Sequence, residues 1–161
     1  MHDIVFHGSA ESGLTEIATS EKTVNGKKQQ IIFASPSMRF ASCFLPEWKD
    51  TWCNLFALKD DAVYFSTRDK EKFLQHAAKP ASMYLMQAGD FAHDPITGKD
   101  PIEWISRQNC IPLFEIRVES CLEAMRKLGV QFHFVDEKIF EQMRNSEAEE
   151  KFALLEKAEK F

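Results

Sequence analysis

No stretch of this chain is long and apolar enough to cross a bilayer as a helix. The opening Met1-His2-Asp3 has neither a basic region nor an apolar signal-like segment, which argues against secretion by that route. An excess of positive charge is also missing. Twenty lysines and arginines face 25 aspartates and glutamates, for a net charge of −5. A dedicated nucleic-acid binder shows a basic patch or stripe, so nucleic acid is disfavoured as a partner. Cys43, Cys53, Cys110 and Cys121 are widely spaced and form no Cys-x-x-Cys. That pattern predicts reduced, buried thiols in a cytoplasmic protein. Tyrosine is scarce, two residues against fourteen phenylalanines, and the imbalance predicts a phenylalanine-rich core.

What is present fits one domain over residues 1–161. A chain of this length buries about two-thirds of its unfolded surface and needs no disulfide or metal to fold. Ile4-Val5-Phe6-His7 reads as a strand, broken by Gly8-Ser9. A short helical turn is predicted over 13–19, a turn at Asn25-Gly26 and a second strand over Gln30 to Ala34. Ser35 then reads as the N-cap of a helix with Pro36 in its first turn. Further strands are predicted over 51–57, 62–66, 82–86, 101–106, 113–118 and 130–135, with the polar turn Lys59-Asp60-Asp61 between the first two. Residues 89–100 are turn-rich and read as a loop. A helix carries Phe73 and Leu74, and another over 119–127 ends at Gly129. Residues 136–161 read as one long, charged C-terminal helix, whose Phe152, Leu155 and Phe161 offer an apolar stripe to its own core or to a second copy. The sum is an α+β fold of short strands with peripheral helices.

Two segments carry the chemistry. Phe6-His7-Gly8-Ser9-Ala10 closes the first strand, and Ile31-Ile32-Phe33-Ala34-Ser35 runs from the second strand into a helix. Such a pair frames a nucleotide pocket. The imidazole supplies a polar handle, and glycine exposes backbone N–H and C=O groups with no Cβ in the way. Other clusters are thinner. His93 with Asp94 gives two of the three or four ligands that a metal needs, so no metal site is predicted. Cys43 or Cys53 beside His7 is the alternative of a thiol nucleophile, against the plainer reading of packed cysteines. Trp48 and Trp52 read either as an aromatic wall or as an edge of the core.

Ile4 to Ser9, Ile31 to Ala34 with the small residue Ala41 beyond, and Glu103-Trp104-Ile105-Ser106 together resemble three ordered blocks of the ADP-ribosyltransferase superfamily, nearest its poly(ADP-ribose) polymerase and diphtheria-toxin-like branch. The resemblance covers about the first 45 residues and then roughly 101–118. It implies a split, strongly bent β-structure with a pocket for NAD as substrate. His7 would bind the adenosine ribose, Gly8 the nicotinamide amide, and Ser9, Ile32 and Ala34 would complete the site. Glu103 would be the catalytic residue, its carboxylate stabilising positive charge that grows on the ribose as nicotinamide leaves. Arg39 would contact a phosphate. The pattern departs from the branch where its stacking tyrosine falls at Ile32, its small hydroxyl residue near Phe40 and its second aromatic near Cys43. Hence a second expectation is a non-catalytic nucleotide- or protein-binding module of the same fold. A third, an RNA 2′-phosphotransferase-like activity, is opposed by the negative charge. Nothing in these motifs names the acceptor.

Overall fold

The computed structural model of the chain describes residues 3–24, 26–58, 61–93 and 102–161. Within them the architecture is α+β, as the sequence predicts: three sheets with short helices. The apolar run at the start forms β1 (Ile4–Ser9), and an equally apolar run forms β6 (Ala81–Gln87). Together with β8 (Phe114–Val118) they make an antiparallel sheet of order β1-β6-β8. A second antiparallel sheet joins β2 (Ser20–Val24), β3 (Lys27–Ala34) and β7 (Trp104–Ser106) in that order. The third has order β10-β9-β5-β4, from β4 (Cys53–Ala57), β5 (Val63–Thr67), β9 (Gln131–Phe134) and β10 (Glu159–Lys160); only β5 and β9 in it run parallel. The helices are α1 (Met38–Ser42), α2 (Lys70–Ala77), α3 (Cys121–Lys127), α4 (Glu137–Arg144) and α5 (Ala148–Leu155).

Phenylalanine does fill the interior. Phe40, Phe65, Phe73 and Phe132 belong to the main core, with Phe65 and Phe73 at 5.0 Å between ring centroids and Phe73 and Phe132 at 5.5 Å. A second cluster, around Val5, Ile32, Tyr84 and Met86, lies behind the junction of the first two sheets. β1 serves both cores: Val5 points into the second, and its neighbour Phe6 packs against the first, as strand alternation requires.

Several local expectations shift. Gly8 and Ser9 do not break the first strand; they pair with Met83 and Ser82 of β6 and complete it. Ser35 does not cap α1, because its backbone is taken by Phe6: Phe6 N–H donates to Ser35 O at 2.7 Å and Ser35 N–H to Phe6 O at 2.9 Å. Ser37 caps instead, its hydroxyl accepting from Phe40 N–H. The stretch 13–19 forms no helical turn. It bends at Gly13 and again at Thr15 and Glu16, and is anchored by a two-way backbone bridge between Ile17 and Cys110. The long C-terminal helix is likewise corrected. Asn145, whose side chain turns back to the Glu141 carbonyl, closes α4, and Ser146 does the same to Gln142; α5 starts afresh and a short strand follows. Of its apolar positions, Leu155 is buried and Phe161 packs on Phe73 and Phe132, while Phe152 meets Tyr64 edge-on and stays exposed. The Gly129 expectation fits a left-handed residue after α3, at φ +84°. Asn25, Lys59, Asp60 and residues 94–101 lie outside the described residues, and with them parts of three expected turns and loops and the Asp94 partner of His93.

Candidate functional site

β1 and β3 meet at the Phe6–Ser35 bridge, and a cavity of about 500 Å³ opens beside it, between Gly8 and Ser9 on one strand and Ile31 to Ala34 on the other. That volume lies within the roughly 300–1,000 Å³ usual for small-molecule sites. His7, Gly8, Ser9, Ile32, Ala34 and Glu103 all line it. The register explains why residues almost a hundred positions apart converge. β7 pairs with β3 so that Trp104 faces Ala34, and one step further Glu103 comes level with Ser35, the residue bridged to β1.

The imidazole is held in one state. His7 Nδ1–H donates to the Phe33 carbonyl at 2.7 Å, since a carbonyl can only accept. Burial pulls the His7 pKa below its ordinary value; the Phe33 bond opposes this, and nearby Lys22 adds to it. The neutral ring therefore keeps Nε2 as an acceptor on a side chain that lines the cavity.

Gly8 contributes backbone on one side and space on the other. Phe6 exchanges both its backbone bonds with Ser35, so it faces away from β6. Alternation turns the N–H and C=O of Gly8 to that same edge, toward the cavity. The absent side chain has its own reason: a Cβ on Gly8 would stand 2.5 Å from the Ala41 carbonyl oxygen and 3.0 Å from Leu45 N. Glycine is thus required by the close approach of α1 to β1, a role separate from ligand access.

Phe40 and Phe44 wall the cavity on the helix side, their rings edge-to-face at 5.6 Å. Ile32 stands, buried, where the resemblance places a tyrosine. Cys43 is fully buried in the main core, outside the cavity lining, and so is Cys53. Burial pushes the Cys43 thiol far up and the Cys53 thiol to about 12, so neither serves as a nucleophile. Trp48 and Trp52 edge the core: Trp48 donates its indole N–H to the Cys43 carbonyl and meets Phe65 edge-on at 5.2 Å, while Trp52 is buried.

Arg39 is the one expected site residue that the structure takes elsewhere. Its Nε donates to the Leu128 carbonyl at 2.6 Å and its Nη1 to the Asp61 carbonyl at 2.7 Å, joining α1 to the end of α3 and to the turn before β5. A guanidinium so placed is a fastener, and a phosphate contact from it is withdrawn. Arg39→Ala should lower stability by about 2 kcal/mol, the loss of two charged-donor bonds at a half-exposed site, and leave ligand binding at the cavity unchanged. Thermal melting beside a binding titration checks both.

The outer wall of the cavity, residues 11–18, is held by groups that motif reading passed over. Glu115 Oε1 accepts from Gly13 N–H at 2.8 Å and from the Ser82 hydroxyl at 2.6 Å. The Tyr84 hydroxyl donates to the Glu11 carbonyl at 2.9 Å and accepts from Leu14 N–H at 3.0 Å. Ser12 and Ser82 hydroxyls are 2.8 Å apart. A signal for this network existed: Ser82 and Tyr84, two apart, put a polar face on an otherwise apolar strand. The Ser82 hydroxyl and the Gly13 N–H, then Arg117, hold the Glu115 carboxyl below the usual carboxylate range. A depressed carboxylate stabilises the folded state above its unfolded pKa and loses that effect as pH falls through its folded pKa. Glu115→Ala should therefore speed amide exchange at Gly13 and Leu14 at neutral pH. Acid titration of the wild-type protein below the usual carboxylate range should lower the protection of the same amides relative to their intrinsic exchange rates.

Compared with protein-family models, with curated proteins and with solved structures, the chain has no significant match. No helix among the described residues is long and apolar enough to cross a membrane.

Proposed function

We propose that the cavity binds NAD and that the protein transfers ADP-ribose from it, or cleaves it, with release of nicotinamide. The reading rests on one observation: an acceptor imidazole (His7), an open backbone edge (Gly8) and a carboxylate (Glu103), which the resemblance links to NAD, line a single cavity. Each suits a part of the substrate. Nε2 of His7 accepts from a ribose hydroxyl. The paired N–H and C=O of Gly8 match the carboxamide of nicotinamide, donor to acceptor and acceptor to donor. Phe40 and Phe44 offer apolar surface to a flat ring in place of the aromatic that Ile32 replaces. As the glycosidic C–N bond breaks, its electron pair leaves with neutral nicotinamide and positive charge gathers on the ribose. A fixed carboxylate beside it favours that state over bound substrate. The acceptor's nucleophile, or water, then bonds to the same carbon and gives up its proton.

A second reading, a nucleotide-binding module of the same fold without catalysis, is favoured by Ile32 and by the engagement of Arg39, which leaves Lys22 as the lysine or arginine lining the cavity among the described residues. Calorimetric titration with NAD and with ADP-ribose, followed by an assay for free nicotinamide, separates the two. Binding with nicotinamide release is the expected result. Binding without release selects the second reading, and failure to bind either compound removes both.

A further inference from the structure

Three of the four large hydrophobic side chains exposed among the described residues sit together at the head of β8: Ile111 at 73%, Leu113 at 56% and Phe114 at 63%. β8 is the outer strand of its sheet, and no described strand pairs with its far edge. The direction of its backbone groups follows from the bonds already given. Phe6 faces Ser35, so Val5, His7 and Ser9 face β6, opposite Met86, Tyr84 and Ser82. Ala81, Met83 and Leu85 then face β8, opposite Val118, Ile116 and Phe114. What remains pointing outward is the N–H and C=O of Glu115 and Arg117.

We propose that this edge is the interface of a homodimer, in which a second copy of the chain lays its own β8 antiparallel to the first across a two-fold axis at Ile116. The charges choose both partner and register. Registers centred on Glu115 or Arg117 set like charges opposite one another. The register centred on Ile116 sets Glu115 opposite Arg117 twice and keeps the outward backbone groups in hydrogen-bonded pairs. On the other face of the strand it lines up Phe114 with Val118, Ile116 with Ile116, and Val118 with Phe114. The exposed Phe114 thereby extends an apolar row whose inner members, Ile116 and Val118, already pack on the main core. Charged residues on an edge strand ordinarily repel a second strand; here their spacing makes the edge complementary to itself, as an isologous contact must be. Arg117 is well placed for this, with its side chain 69% exposed and 3.3 Å from the Glu115 carboxylate of its own chain. The proposal holds whether or not the cavity takes NAD.

Sedimentation velocity of the full chain over a concentration series tests it, and a reversible dimer is expected. Arg117→Glu puts carboxylates opposite one another at two positions and should raise the dissociation constant roughly tenfold or more. Ile116→Cys should cross-link to its own copy under mild oxidation, because facing Cα atoms in such a pair stand about 4.5 Å apart, within disulfide reach. The native cysteines are all buried and should not compete. Val118→Cys, which faces Phe114 in this register, should not cross-link. A protein that stays monomeric, a dimer indifferent to Arg117→Glu, or cross-linking at 118 in place of 116 would each overturn the proposal.

Discussion

Glu103→Gln should slow the release of nicotinamide from NAD by about 10²–10³-fold, the usual cost of removing one preorganised electrostatic partner from a transition state. Glutamine keeps the shape and the hydrogen-bonding reach of the side chain and removes only its charge. The carboxylate attracts the ribose most strongly when the glycosidic bond is nearly broken, so the loss belongs in the chemical step, with a small change in the affinity for NAD. Glu103 precedes β7, which is held to β3 by backbone pairing at Trp104, Ile105 and Ser106. Single-turnover release beside a calorimetric titration separates the two quantities. Equal rates for variant and wild type would remove Glu103 from the chemistry, and a large loss of NAD affinity with an unchanged rate would make it a binding residue.

The parts of this molecule that could be read in advance are those where one local signal decides the outcome. β1 and β6 are largely apolar runs and β9 alternates Gln131 and His133 with Phe132 and Phe134, and burial leaves such patterns little choice. β2 was not legible, because Ser20-Glu21-Lys22-Thr23 has no apolar period; it exists through its pairing with β3. The C-terminal segment misled for a related reason. Its helical period continues past Asn145 and Ser146, but the two side chains bond back to carbonyls four residues earlier and close the helix. The same division runs through the site. His7, Gly8 and Glu103 stood out because each belongs to a compact motif. Arg39 was misplaced because its partners, the carbonyls of Asp61 and Leu128, are 22 and 89 residues away. The clamp on the cavity wall was invisible for the same cause, since Glu115 reaches Gly13 across 102 residues.

Gly8→Ala should be the most damaging single methyl group that can be added near the site. The new Cβ would meet the Ala41 carbonyl oxygen at 2.5 Å, with Leu45 N and Phe44 C at 3.0 Å, and all three are backbone atoms. A flexible side chain would swing aside at small cost, but here the helix and the turn after it must move. Overpacking of a close contact costs about 1–3 kcal/mol, occasionally more, and rigid backbone neighbours put this one at the upper end. For a domain of this size a loss of about 3 kcal/mol lowers the melting temperature by roughly 6–12 °C. The direction of relief matters more for function. Moving α1 off β1 displaces Phe40, Ala41 and Phe44, which line the cavity. Weakened NAD binding should therefore accompany the lower melting temperature, although the Gly8 N–H and C=O are untouched. A ligand contact to those backbone groups alone would predict the opposite pair of results: an alanine variant as stable as wild type, and a binding defect confined to the carboxamide end of the substrate. Melting curves and titrations with NAD, ADP-ribose and nicotinamide distinguish the two, because a displaced helix weakens all three ligands together.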